Sequence, residues 1–509
     1  MTTTNTRQFV LDITVFLCGA MVMTYEIIGS RILSPFIGAS TYVWTSLIGV
    51  ILGSLSLGYW LGGRMADRRP DIKVLASVIF FAGGLISLTV LIKEVVLSFV
   101  ASASVGVELR SIIASLILFA PASVCLGFVT PYTVKLRMFS LEDAGKTVGR
   151  LYALSTVGSI LGTFAAGFVL VPFVGSVRTL YGISAALIML SLALVPFAVT
   201  RTGIAVIVLF GLSIISNEAN SYLLREASGL HDIDTQYSRV QIFQTSDPRT
   251  GKSIRALATD PYFTQSAMFL ESDLPALDYS KFYHLANHYR PGFRSTLVIG
   301  GAGYSVPKDF LKRYPENTID VVEIDPQMTA IARRFFRLVD DPRLSIFHED
   351  ARTYLNSSAS GKYDLILMDA FGSLFSVPYQ LTTIEAVREM RRNLSDKGVV
   401  IFNLGSAITG EGSRFLHAEL ATYRAVFQHV SIYKVNADYN DEKLQNLMIV
   451  ASAAAEVPGD DSADPEIDAL LASRYHGNLP KDVEIITDDL SPVEYYNSIA
   501  QNLYLKSRR

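Results

Sequence analysis

Up to about residue 216 the chain is a succession of apolar stretches, each close to the roughly 20 residues that a bilayer core requires. They predict helices near 9–30, 43–62, 73–92, 111–131, 148–171 and 178–199. A seventh run, 203–216, is shorter and suits an oblique span, a re-entrant segment or an interfacial helix. From residue 218 the pattern changes to strands and helices. Arg239-Val-Gln-Ile-Phe243 and Ser253-Ile-Arg-Ala-Leu257 alternate about a turn at Asp247-Pro-Arg-Thr-Gly251, which predicts a hairpin. Apolar strands then recur at Thr296–Gly300, Asp320–Ile324, Leu344–His348, Asp364–Asp369 and Val399–Leu404, with helical stretches between them. Two late strands lie near 429–435 and 446–452. Buried apolar strands joined by helices predict a parallel, doubly wound, Rossmann-like sheet. The expected organisation is a multi-pass α-helical membrane domain over 1–217, a small β-rich unit over 218–290 and an α/β domain over 291–509.

Charge orients the membrane half. Arg64, Arg68, Arg69 and Lys73 fall between one pair of helices, and Lys135, Arg137, Lys146 and Arg150 between another pair two helices on. Both loops are expected to face the cytoplasm, in a cell inner membrane. If 203–216 spans, the soluble half is exported; if it does not, that half stays inside. The cytoplasmic placement is preferred, because a nucleoside sulfonium cosubstrate is made there. The small pairs Gly49/Gly53, Gly58/Gly62 and Gly158/Gly162 let helices approach closely and are read as packing within the bundle. Asp12 and Glu26 are carboxylates on the first helix, and Arg31 or Arg64 is the expected ion-pair partner of Glu26.

Composition adds exclusions. Half of the residues are hydrophobic, and the formal net charge of -3 gives no basic field for nucleic acid. Cys18 and Cys125 lie in apolar stretches, which indicates neither a disulfide framework nor a zinc site. His284 and His288 share a helix face without the Glu of a zinc-protease helix and are read as surface residues. No metal is expected.

The chemistry gathers at strand ends. The first strand of the α/β domain runs into Gly300-Gly-Ala-Gly303, where glycines permit a tight turn and close approach of a ligand. Glu323 follows Gly300 by 23 residues, at the end of the next strand, a spacing that suits a carboxylate on two ribose hydroxyls. Asp350, after the third strand, is placed to accept from an exocyclic amine such as that of adenine. Asp369, after the fourth, adds a carboxylate to the same crevice. The competing reading makes these acids helix caps, with Asp325 before Pro326 and Asp350 the clearest cases.

Over most of its length the chain resembles the spermidine synthase (polyamine aminopropyltransferase) family, in its bacterial branch fused to an N-terminal membrane domain. The resemblance rests on Gly58-Tyr-Trp-Leu-Gly-Gly-Arg-Met-Ala-Asp-Arg-Arg69, Gly149-Arg-Leu-Tyr-Ala-Leu-Ser-Thr156, Tyr237-Ser-Arg-Val-Gln241, Val321-Val-Glu-Ile-Asp-Pro326, Tyr363-Asp-Leu-Ile-Leu-Met-Asp-Ala370, Leu381-Thr-Thr383 and Thr487-Asp-Asp-Leu-Ser-Pro-Val-Glu494. It implies the class I methyltransferase and spermidine synthase type of fold. It also implies aminopropyl transfer from decarboxylated S-adenosylmethionine to a diamine such as putrescine, with no tightly bound cofactor. By resemblance, Glu323 holds the ribose and Asp350 the adenine amine. Gly300, Gly301 and Gly303 line the thioether region, Gln265 approaches from the small β unit, and Asp369 is the catalytic carboxylate. Expected partners are a small-molecule amine, the lipid bilayer and, where chains associate, a second copy in a homodimer.

Acids of the family pattern are replaced at three places. Tyr304 stands where the family's glycine loop has Asp, Gly372 where a second Asp follows the catalytic one, and Tyr279-Ser280 where an Asp-Glu pair precedes Tyr283-His284. Asp488 and Asp489 compensate if the C-terminal segment folds over the crevice. Two other readings stay open: a methyltransferase using intact S-adenosylmethionine, and a transporter or sensor that binds a nucleoside or polyamine without chemistry.

Overall fold

The computed structural model describes residues 2–103, 105–138, 144–195, 201–260, 263–370 and 377–507. The chain forms two units, Met1–Ala227 with Asp232–Arg239, and Ser228–His231 with Val240–Arg509.

The first unit is helical: α1 (Thr2–Ile37), α2 (Thr41–Arg68), α3 (Ile72–Ala101), α4 (Val107–Leu118), α5 (Ala120–Arg137), α6 (Ala144–Ala165), α7 (Ser176–Leu194) and α8 (Arg201–Ser228). Six of these stretches are long and apolar enough to cross a membrane, and α4 with α5, bent by 58°, makes a seventh if the pair is one span. The run at 203–216 belongs to a helix of 28 residues, whose stretch Gly203–Asn220 is of spanning length. After α6 the helix widens into a π-helical segment, Ala166–Val174, around Pro172. Proline has no N–H to donate and crowds the carbonyl four residues back, which the wider turn relieves.

Serines and glycines set the helix registers. Ser191 Oγ donates to the Ala76 carbonyl (2.7 Å) and Ser87 Oγ meets Ser184 Oγ (2.8 Å), so α3 and α7 run antiparallel. Backbone carbonyls of Phe16 and Ala20 on α1 occupy the space a side chain would need at Gly158 and Gly162, which makes α1 and α6 parallel. Gly58 and Gly62 meet the Val124 and Phe128 carbonyls on α5 in the same way. Gly49 and Gly53 face open space and take no part in this packing.

The ion pairs differ from the sequence expectation. Arg31 binds Asp234 (3.0 Å) and Arg64 lies over the Trp60 ring (5.4 Å), so neither reaches Glu26. Arg31 stands five residues beyond Glu26, about 140° round the helix. Asp12 is the paired carboxylate, held by Arg137 and by Arg150 (2.8 Å).

β1 (His231–Asp234) falls mostly in the first unit. The strands β2 (Arg239–Ser246), β3 (Ser253–Ala258) and β4 (Ser266–Phe269) form an antiparallel meander, with Ile242 opposite Leu257 and Ala256 opposite Ala267. A 3-10 turn, Asp278–His284, and α9 (Leu285–Tyr289) lead into the main sheet. Its elements are β5 (Ser295–Ile299), α10 (Ser305–Arg313), β6 (Thr318–Val322), α11 (Pro326–Phe335), β7 (Leu344–Phe347), α12 (Ala351–Ser357) and β8 (Tyr363–Met368). There follow α13 (Ile384–Asn393), β9 (Leu394–Ser406), α14 (Arg414–Arg424), β10 (His429–Lys434), β11 (Gln445–Ser452), α15 (Pro465–Leu471) and α16 (Val493–Ser507).

The strand order is β10-β11-β9-β8-β5-β6-β7. Pairings from β9 through β7 are parallel, whereas β11 is antiparallel to both β9 and β10. The sheet is therefore mixed, not wholly parallel as its strand pattern suggests. The crossover through α14 sets β10 one place away from β9, and β11 returns directly, without a helix, into the gap. A direct return reverses the strand. Chain order reverses between β5 and β8, and ligands of doubly wound sheets settle beyond the carboxyl ends of strands at such a point.

A side chain at Gly158 would be driven into the Phe16 carbonyl, whereas one at Gly49 meets nothing. Gly158→Leu is expected to abolish the monodisperse detergent-solubilised protein. Gly49→Ala is expected to leave its melting temperature unchanged or raised, as differential scanning fluorimetry will show.

Candidate active site

The loop after β5 is built from conformations that glycine favours, but only partly with glycine. Gly300 has φ +93°, and a Cβ there would press on the Asp369–Ala370 backbone. Ala302 (φ 43°) and Tyr304 (φ 52°) are left-handed without being glycine. Glu323, buried at the end of β6, holds this turn. One carboxylate oxygen accepts from the amides of Gly301 (2.8 Å) and Ala302 (3.2 Å), and the other from the amide of Asp325 (2.9 Å). Burial raises the Glu323 pKa, and the three amides oppose the rise.

Tyr304 turns inward. Its ring lies under Gly301, and its hydroxyl meets Thr329 Oγ1 (2.7 Å), which in turn meets His348 Nε2 (2.9 Å). The residue that replaces the family's loop acid is thus part of the core and leaves the cleft uncharged there.

Asp369 lies just past β8, where its amide continues the ladder to the Ile299 carbonyl (2.9 Å). The Tyr279 hydroxyl donates to its carboxylate (3.0 Å). The Tyr283 hydroxyl, which donates to the Met368 carbonyl (3.1 Å), also bears on it. Burial pushes the Asp369 carboxyl up to about 7, and the two tyrosine hydroxyls oppose the rise. A shallow cleft joins Asp369 to Gly300, Gly301, Tyr279, Ser266 and Ser305. Asp369 is its one acidic side chain among the described residues.

Other expected site residues are placed less directly. Gly303 packs against Ser266 and Phe336. Asp350 caps α12, accepting from the Thr353 amide (3.1 Å), and Asp325 caps α11 in the same way (2.9 Å). The Gln265 side chain donates to Thr259 Oγ1, while its backbone carbonyl lies 3.3 Å from the Tyr279 hydroxyl that Asp369 also faces. His284, taken for a surface residue, is buried between Asp309 (2.8 Å) and Tyr314 (3.0 Å). Asp488 is held by Arg352 (2.9 Å) and Thr383 (2.6 Å), so it anchors the C-terminal segment instead of supplying a free acid. Gly372 lies outside the described residues. The sequence reading missed Tyr279 and Tyr283 as partners of Asp369. Their signal was the phenol at a position where the family has an acid, four residues before a second tyrosine.

Strand order and a strand-end cleft define an α/β domain of the class I methyltransferase and spermidine synthase type. Residues 279–454 match the spermine/spermidine synthase domain model. Over those residues the chain is similar to the spermine/spermidine synthase family of transferases. It is 30% identical over 187 residues to a polyamine aminopropyltransferase of Vibrio vulnificus, a match spanning 36% of this chain and 58% of that protein. Polyamine aminopropyltransferase 2 of Ralstonia nicotianae is 23% identical over 442 residues, or 79% of this chain and 80% of the relative. The crystal structure of a probable spermidine synthase from Corynebacterium glutamicum superposes with a TM-score of 0.39 at 21% identity, over 52% of this chain and 92% of that one.

A buried carboxyl with a raised pKa destabilises the folded state once it ionises. Stability from Asp369 is full below the unfolded value of about 3.9 and is lost as pH rises through about 7. Asp369→Asn is therefore expected to raise the melting temperature relative to the parent protein more at pH 8 than at pH 5. An equal shift at both pH values would show that the carboxyl does not titrate in this range.

Proposed function

We propose that the chain is a membrane-anchored aminopropyltransferase, with residues 291–509 as its catalytic domain and Asp369 as the base. The observation that carries this is a carboxyl near pKa 7 beside a glycine turn, oriented by Tyr279. An alkylammonium with pKa of about 10.4 must lose a proton before its nitrogen can attack. Asp369, ionised, accepts that proton; the nitrogen then attacks the methylene carbon bound to sulfur, the C–S bond breaks, and a neutral thioether leaves. The sulfonium is already activated, so positioning supplies most of the remaining acceleration.

Glu323 is assigned to the ribose hydroxyls, Asp350 to the adenine amine, and Gly300, Gly301 and Gly303 to the thioether region, with Gln265 at its edge. The three amides on Glu323 leave about one of its acceptor positions free, so a ribose diol engages it by sharing oxygens with the loop. The donor is decarboxylated S-adenosylmethionine and the acceptor a small amine. The first unit anchors the protein in a cell inner membrane through its apolar helices.

One observation favours a second reading. With Tyr304 turned into the core, no acid of the glycine loop meets the donor's amine. A methyltransferase using intact S-adenosylmethionine fits that feature.

Full-length protein in detergent, given each labelled donor with a panel of amines, tests both. Asp369→Asn is expected to lower kcat/KM by about 10²–10⁴-fold. In the parent protein kcat/KM should rise with pH to a plateau through a midpoint near 7. Glu323→Ala is expected to weaken donor binding in isothermal titration. Full activity of Asp369→Asn would overturn the assignment of the base, and tighter binding of the intact donor would favour methyl transfer.

A further inference from the structure

The helical unit has two chemically distinct ends. At one, Asp12 is held by Arg137 and Arg150, Lys135 pairs with Asp67 (2.8 Å), and the Tyr132 hydroxyl bonds to the backbone of Arg69 and Asp71. This end carries the basic loops. Arg31 stands 19 residues further along α1, about 28 Å away. Glu94 stands 23 residues past Asp71 on α3, about 34 Å from the same end. The start of α7 is also remote from it, because Ser191 near the other end of α7 bonds to Ala76 near the start of α3.

The segment Asp232–Arg239 is fixed to the second end. Asp234 binds Arg31 (3.0 Å) and accepts from the Ser176 amide at the start of α7 (2.6 Å). Arg239 pairs with Glu94 (3.4 Å) and Asp232 (2.5 Å), and Lys93 joins Glu94 (2.7 Å). The preceding helix leads to this end. Val206 of α8 packs on Phe80 and Ile188, and the Ser213 carbonyl accepts from Tyr181 (3.1 Å), so α8 runs antiparallel to α7 towards the level of Ser176. The short connections at this end, 38–40 and 102–106, contain no Lys or Arg.

We infer that the chain from residue 240 onward, Asp369 and its cleft included, lies on the extracytoplasmic side of the membrane and draws its substrates from there. The inference rests on the membrane reading of the first unit. Basic loops stay in the cytoplasm, the segment before residue 240 is tied to the opposite end, and every candidate span ends by residue 220. This reverses the side preferred from the origin of the cosubstrate. A charged nucleoside donor does not cross hydrocarbon unaided, so the reaction that makes it must be followed by a transport step.

Single-cysteine labelling tests the placement without depending on turnover. In a Cys18→Ala, Cys125→Ala background, Pro70→Cys reports the basic end and Asp461→Cys reports the second unit; both positions are exposed. A membrane-impermeant maleimide is expected to label Asp461→Cys in cells with an intact inner membrane, and Pro70→Cys only after permeabilisation. The reverse pattern, or identical accessibility of the two sites, would overturn the inference. Alkaline carbonate extraction of the same cells keeps the membrane reading separate: protein released to the supernatant would overturn that reading, and the inference with it.

Discussion

The Glu323 carboxylate sits at the end of one strand and holds the turn at the end of the next. Its two oxygens accept from Gly301, Ala302 and Asp325. That turn contains Ala302 and Tyr304 in left-handed backbone conformations, each costing of order 1–3 kcal/mol unless its surroundings fix it. The amides on Glu323 and the chain from the Tyr304 hydroxyl through Thr329 to His348 do so. The fixed turn lets Gly300 lie against the backbone of Asp369, because a hydrogen there leaves room that a methyl would fill. The spacing between the loop after β5 and the carboxylate after β8, on which the cleft depends, follows from this hold. It also links ligand to loop, since any group that takes hydrogen bonds at Glu323 competes with the amides that shape the floor of the cleft.

Much of this was legible in the sequence because it depends on short spans of chain. Strand ends at Gly300, Glu323, Asp350 and Asp369 follow from apolar runs of four to six residues and the turns that stop them. Contacts that depend on distant segments were not legible. Tyr279 reaches Asp369 across 90 positions, and no local period marks it. The antiparallel strand β11 reads like its parallel neighbours, because a strand buried on both faces is apolar throughout in either direction. In the helical unit, the partners of Asp12 lie more than 120 residues away, whereas the expected pairing of Glu26 with Arg31 relied on sequence proximity that the turn of the helix defeats. Of the two readings given to Asp350 the structure holds the helix cap, which uses one carboxylate oxygen and leaves the other.

The cleft is sparing with charge, and that bears on what it accepts. A site for two cationic nitrogens in a partly desolvated cleft needs more than one anion, because an unpaired buried charge is costly. Here tyrosines surround Asp369, the one carboxylate of the cleft among the described residues, and acids that resemblance would add are replaced by Tyr279 and Tyr304. A phenol donates to a carboxylate and favours its ionised form. It thus offsets part of the desolvation that raises Asp369 and keeps the carboxyl near neutrality, where it can exchange a proton. An acid in the position of Tyr279 would repel Asp369 and drive its pKa further up. Tyrosine at position 279 carries no charge of its own and donates to the carboxylate that remains.

Electrostatics also fix the segment Asp232–Arg239 to the helices of its own unit. Charged groups at the helix ends add to the registers that serines and glycines set along their length. Asp12 gathers two arginines at one end, and Asp234 gathers an arginine and a helix N-terminus at the other. Asp234 is outside the apolar helices, so its attachment recruits the segment after α8 into the bundle. An exposed ion pair contributes little, but Arg31 and Asp234 are mostly shielded, and the Ser176 amide would otherwise be an orphan donor at the start of its helix. Loss of Asp234 would take this acceptor from the Ser176 amide and leave Arg31 with the Thr235 carbonyl. The segment Asp232–Arg239 is therefore held to the bundle by the same physics that holds the bundle together.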